Sequence, residues 1–138
     1  MSGLKAATVA PTWPDINGVM VPPQINNLSP WWNNLVENKF AIQFIHRIIA
    51  YLLTILIIIW SWRAFSIKDN QLFNKVKWLP LVLILVQLLL GIITVVRSPY
   101  PQELIWFGLA HQFTAMLFLT AMTLMLFLIR GRLKLNAI

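Results

Sequence analysis

Three stretches of this chain carry apolar side chains almost without interruption, and the polar positions gather between them. The stretches cover 40–65, 78–97 and 104–130, and each reaches the roughly 20 helical residues that a hydrocarbon core requires. Ile48 to Trp62 holds no charge, Trp78 to Val96 holds none, and in the third stretch His111 is the sole ionisable side chain before Arg130. All three read as α-helices, because lipid offers backbone groups no partner and a helix satisfies its own. Pro80 falls in the first turn of the second stretch, where a missing N–H is no loss. The pattern predicts an all-α, polytopic membrane bundle of three transmembrane helices, without strands.

Composition agrees with that reading. Of 138 residues 59% are hydrophobic and 11% charged, against about 25% charged in a soluble domain. There is no cysteine, which excludes disulfides, thiolate nucleophiles and every Cys-based zinc or iron–sulfur site. The formal charge of +7 would suggest nucleic acid in a soluble chain; in this one it describes topology, and the partner is the lipid bilayer, with no nucleic acid. Lys68, Lys75 and Lys77 oppose Asp69 in the 66–77 loop, Arg63 sits near the same end, and Arg130, Arg132 and Lys134 flank the 131–138 tail. On the other side Lys5, Lys39 and Arg97 are offset by Asp15, Glu37 and Glu103. The positive-inside rule then places the 66–77 loop and the tail in the cytoplasm or matrix, and segments 1–39 and 98–103 outside. An exported segment without an apolar leader stretch implies a preceding helix, hence a fragment or one part of a split protein. The lack of an Arg-rich presequence favours a bacterial inner membrane over a mitochondrial one.

Segment 1–39 holds Pro11, Pro14, Pro22, Pro23 and Pro30 with Trp13, Trp31 and Trp32, and reads as a turn-rich outer cap. From Ser29 onward the text predicts a short helix, Ser29 as its N-cap and Pro30 at its first position, with both adjacent tryptophans at headgroup depth.

The two histidines are the candidate chemistry. An ionisable side chain within a span is costly and marks a functional hypothesis. His46 is about six residues into the first span and His111 about seven into the third, so both lie roughly 9 to 10 Å below the outer helix starts. Each has an alanine four residues on, Ala50 and Ala115, on the same face one turn deeper. Gly108 and Thr114 also keep the His111 face small, as close approach of a ligand or a helix requires. Two facing imidazoles at one depth suit axial ligation of one haem iron; the alternative is a pair of interhelical hydrogen bonds. A bare zinc site is disfavoured, since two His without nearby acids are too few.

Arg47 adjoins His46 and calls for an anion: a haem propionate, or Glu37, Glu103 or water reached by snorkelling. Gln43 and Gln112 either orient the histidines or a propionate, or join helices. Gln87, with Gly91 one turn on, reads as a packing contact, and Met116, Met122 and Met125 as core filler. No phosphate loop, GxGxxG, Ser-His-Asp set or paired intramembrane carboxylate occurs, so no independent catalytic constellation is present.

The runs TWPDINGVMVPP (Thr12 to Pro23), QFIHRIIAYLL (Gln43 to Leu53), QLLLGIITV (Gln87 to Val95) and LAHQFTAMLFL (Leu109 to Leu119) together resemble the C-terminal half of the haem A synthase family. The resemblance spans nearly the whole chain in order. It implies a portion of one four-helix half of an eight-helix protein that oxidises a methyl group of haem O to formyl. It further implies that His46 and His111 are the axial pair of a haem b that passes electrons, beneath the outer loop around Trp13 and Pro14. The substrate haem, its own histidine pair and an acidic loop residue belong to the other half, so this chain alone is expected to be inactive and to need that half. The lack of cysteine matches the branch without a loop cysteine pair. Two other readings stand beside this one: a three-helix cytochrome b anchor subunit of a dehydrogenase, and a helical remnant whose histidines only pack. Homo-oligomerisation and the electron acceptor are left open by the sequence.

Overall fold

A computed structural model describes residues 6–67 and 71–135, with side chains as far as residue 129. Expectations that concern Lys5, Lys68, Asp69 and the side chains of Arg130, Arg132 and Lys134 lie outside the described residues. Two short 3-10 turns, Ala6–Thr8 and Pro23–Asn26, precede five α-helices: α1 (Asn33–Val36), α2 (Lys39–Ser66), α3 (Gln71–Val76), α4 (Leu79–Val96) and α5 (Pro101–Leu135). Among the described residues there is no strand, although Ile16 and Val19 form an antiparallel bridge around an Asn17-Gly18 turn. Both turn residues have positive φ, 54° and 87°, the conformation that makes Asn-Gly a tight hairpin connection.

The fold has three helices long and apolar enough to cross a membrane. In the most apolar window of each, 22%, 17% and 17% of residues are buried within the chain, so most of their surface is left for lipid or for other helices. α4 is central: α5 packs along it and α2 against it. At 28 residues, α2 is about 42 Å long, which exceeds a hydrocarbon core of about 30 Å. Its first turns therefore have room to stand among the loops.

Helix α2 starts at Lys39 because the Asn38 side chain accepts hydrogen bonds from the N–H groups of Phe40 (3.0 Å) and Ala41 (3.3 Å), a cap contributing about 1 kcal/mol. Asn38 also donates through Nδ2 to the Gln24 carbonyl and to the side-chain oxygens of Asn27 and Asn34. One residue thus begins the helix and fastens the loop before it. The helix expected from Ser29 is a single turn, α1, without a side-chain cap at Trp32. The reason is Asn34, whose amide donates to the carbonyls of Leu28 and Trp31 and accepts from the Leu28 N–H. Those loop groups find a side-chain partner where a longer helix would have used its own backbone.

At the opposite end α3 folds beneath the bundle, and Phe73 joins Ala64 and Met125 in a buried cluster with Trp60, Val76, Leu128 and Ile129 around it. Lys77 closes α2 by donating to the carbonyls of Phe65 (3.4 Å) and Ile67 (3.1 Å), a favourable place for a cation at a helix C-terminus. Of the three methionines read as filler, Met125 is core, Met122 half-buried and Met116 exposed. α5 begins at Pro101 with Glu103 in its first turn, paired to Arg97 at 3.4 Å.

Candidate functional site

Gln43, Arg47 and Tyr51 recur every four residues and so form one stripe along α2. The stripe holds the N-terminal segment. Gln43 Nε2 donates to the Ala10 carbonyl at 3.0 Å. Arg47 Nη1 donates to the carbonyls of Pro14 (3.1 Å) and Asp15 (2.6 Å), and its Nη2 to Thr12 (2.8 Å). Trp13 Nε1 donates to the Tyr51 hydroxyl at 3.0 Å. From the other side Ser98, just past α4, donates to the Ala7 carbonyl at 2.9 Å. The cap is thereby strapped across α2 and tied to the end of α4.

Of the anions expected for Arg47, Glu103 is engaged elsewhere, and the observed partners are main-chain carbonyls. The guanidinium is buried, 8% exposed, and three carbonyl dipoles compensate it, while Glu103 pairs with Arg97. Its Nε and the Gln43 Oε1 are buried without a hydrogen-bond partner. Within the cap Asp15 receives the Gly18 N–H at 2.9 Å. That bond above all, then the Thr12 hydroxyl and the charge of Arg47, holds its carboxyl below the usual range.

His46 precedes Arg47 and so points about 100° around the helix from the strapped stripe. Its ring centroid is 6.3 Å from that of His111 on α5, with the planes at 68°. α2 and α5 thus approach each other here as well as at the buried cluster around Phe73. His111 is set by α4: its Nδ1 is 3.1 Å from the Gln87 carbonyl oxygen and its Nε2 is 3.2 Å from the Gln87 side-chain nitrogen. A carbonyl only accepts, so Nδ1 carries the proton and Nε2 of the neutral ring keeps a lone pair. A β-carbon on Gly91 would stand 3.1 Å from His111 Cε1, so glycine is what lets the ring lie against α4. Gly108 serves helix contact instead, with Thr94 Cγ2 4.0 Å from where its β-carbon would be.

Gln87, read as a packing contact, joins α4 to α5 through the His111 ring. The available signal was a polar residue in mid-span with Gly91 one turn on. Tyr51 was also missed; with Gln43 and Arg47 it completes an i, i+4, i+8 series that amphipathic counting reveals. Gln43 binds the cap and Gln112 is exposed, so neither contacts a histidine ring through a hydrogen bond.

Two metal–imidazole bonds of about 2 Å plus the ring radii sum to roughly 6 Å, close to the observed centroid separation, while both ring nitrogens of His111 face Gln87 in this structure. Among the described residues no group of three or more His, Asp or Glu gathers to hold a bare ion. The chemistry of the donor set is that of two neutral imidazoles, which suit a metal carrying further ligands of its own.

Fold and site define a helical membrane protein with a paired-imidazole centre between two spans. The chain matches the family described as cytochrome oxidase assembly protein over residues 1–123, and it belongs to that family. Similar proteins include the heme A synthase of Brucella anthropi, 34% identical over 119 residues that make up 86% of this chain and 32% of the relative. The heme A synthases of Brucella suis and Brucella ovis are 33% and 32% identical over the same shares. The chain spans about a third of the length of these curated relatives. No solved structure matches it.

Proposed function

We propose that this chain is the haem b-binding module of a haem A synthase, the oxidoreductase that converts a methyl group of haem O to formyl in haem A biosynthesis for cytochrome oxidase. His46 and His111 are the axial ligands of that haem b. The observation that carries the reading is the 6.3 Å imidazole pair, contributed by two different spans in a chain of this family. When bound, the haem supplies one-electron transfer.

The chain's own residues prepare the place. His111 presents Nε2 because the Gln87 carbonyl holds the proton on Nδ1. Gly91 leaves the ring its room. Arg47 pins the cap beside His46. Oxidation of haem O belongs to a second half with its own histidine pair, and this module does not perform it alone. The bundle sits in a bacterial inner membrane with the cap outward. A cytochrome b anchor would account for the imidazoles but not for family membership over residues 1–123.

The test is a reduced-minus-oxidised visible spectrum of the chain in detergent with added haem. His46→Ala and His111→Ala are each expected to abolish a low-spin bis-imidazole signal, and Met122→Ala to leave it intact. A six-coordinate spectrum retained in either histidine variant removes the shared-ligand assignment.

A further inference from the structure

We infer that residues 30–36 of the cap form a foot in the membrane interface, with Trp31, Trp32, Leu35 and Val36 resting among the headgroups and upper acyl chains at the cap end of α2. The partner of this surface is the lipid itself, and the inference is independent of the haem reading.

Local structure separates the two sides of the foot. The N–H groups of Asn33, Asn34 and Leu35 donate to the carbonyls of Pro30, Trp31 and Trp32, so a helical turn runs into α1. At that spacing Trp31 and Leu35 form one row and Trp32 and Val36 the row beside it. All four are 50–65% exposed. Asn34 is buried on the other side, its amide engaged by Leu28, Trp31 and Asn26. Asn38 joins it there and reaches Gln24 and Asn27. The polar side of the turn therefore faces the loop and the apolar side faces out, the reverse of what water selects. No charged residue occurs from Ile16 to Val36, so no ion in this stretch opposes its leaving water. The two indoles meet edge-on with centroids 6.0 Å apart, and each combines the apolar body and polar tip that the headgroup region favours.

Helix α2 sets the height of this face. Only Glu37 and Asn38 separate Val36 from α2, which keeps the turn within about 10 Å of the helix start. Near the other end of the bundle Trp62 and Trp78 are exposed, as in a belt of interfacial tryptophans. Trp62 stands about 35 Å along α2 from Lys39, slightly more than a hydrocarbon core of about 30 Å. With Trp62 at one interface, the start of α2 and the turn before it fall at the other. Trp106, early in α5, is exposed at that same end. A protein partner fits less well, because a stable interface uses roughly 20–30 residues a side, whereas lipid accepts a patch of four. The cap is thereby held on two sides, by hydrogen bonds to the α2 stripe and by lipid around the foot.

The chain has no cysteine, so single-cysteine variants carry a nitroxide at one chosen place. The experiment labels Leu35→Cys and Val36→Cys in phosphatidylcholine nanodiscs and measures power saturation against oxygen and a water-soluble nickel chelate. Leu119→Cys, on the exposed face of α5, serves as the lipid reference. Oxygen is expected to dominate at both foot positions, as at the reference. Dominance of the chelate at either position overturns the inference by placing the foot in water. Shielding from both reagents overturns it in favour of a protein contact, such as a second copy. Should the cysteine variants fail to insert, native fluorescence gives the same decision. The share of emission that disappears in Trp31→Phe and Trp32→Phe is expected to be quenched by lipid brominated in the upper acyl chain and spared by aqueous iodide, and the opposite pattern overturns the foot.

Discussion

A guanidinium in a membrane span costs a few kcal/mol unless it is paired, and Arg47 resolves this with the carbonyls of Thr12, Pro14 and Asp15. Replacement by leucine removes three charge-assisted hydrogen bonds. Arg47→Leu is expected to loosen the cap by about 2 kcal/mol or more, read as a red-shifted Trp13 emission relative to Trp13→Phe and as faster proteolysis within residues 6–22. Unchanged emission and proteolysis would assign Arg47 no part in holding the cap. The costly residues themselves were legible, since His46, Arg47 and His111 stand out against an apolar background. The partner of Arg47 was not, because a backbone carbonyl has no side chain to announce it. The partner of Gln87 was equally hidden, since half of its hold on His111 comes from its own main chain.

Between elements, the contact that positions the centre is the seam of α4 and α5. Gln87, Gly91 and Thr94 on one helix, with Gly108 and His111 on the other, are the small or polar residues on which close approach in lipid depends. Gly91→Ala would place a β-carbon where His111 must give way by a few tenths of an ångström, at an overpacking cost of about 1–3 kcal/mol. The expected outcome is a lower unfolding temperature in detergent together with a reduced low-spin haem fraction. A change in neither would show that the ring shifts without consequence. The long helices were readable from apolar run length alone. α1 was not, because the Ser29-Pro30 start signal competes with the Asn34 amide, and only the folded loop brings Leu28 and Trp31 within its reach.

For the molecule as a whole, the cap makes stability sensitive to acid. The Asp15 carboxyl is held below its ordinary pKa, chiefly by the Gly18 N–H. A depressed folded-state pKa contributes stability that is fully present above the unfolded value and is lost as pH falls through the folded one. The cap is therefore expected to loosen below the ordinary carboxylate range, seen as a change in Trp13 emission during acid titration. Asp15→Asn should flatten that response, and an identical titration in the variant would place the acid-sensitive group elsewhere.

The sequence by itself determined the membrane class, three long apolar helices and the three residues most in need of explanation. Those properties follow from transfer free energies, which are summed locally and need no knowledge of neighbours. Tertiary structure alone decided that α4 stands between α2 and α5, that Gln87 and Gly91 set the His111 ring, and that the cap folds back onto Gln43, Arg47 and Tyr51. Each joins groups distant in sequence, several through backbone atoms that every residue carries, and so becomes specific only when the chain is folded.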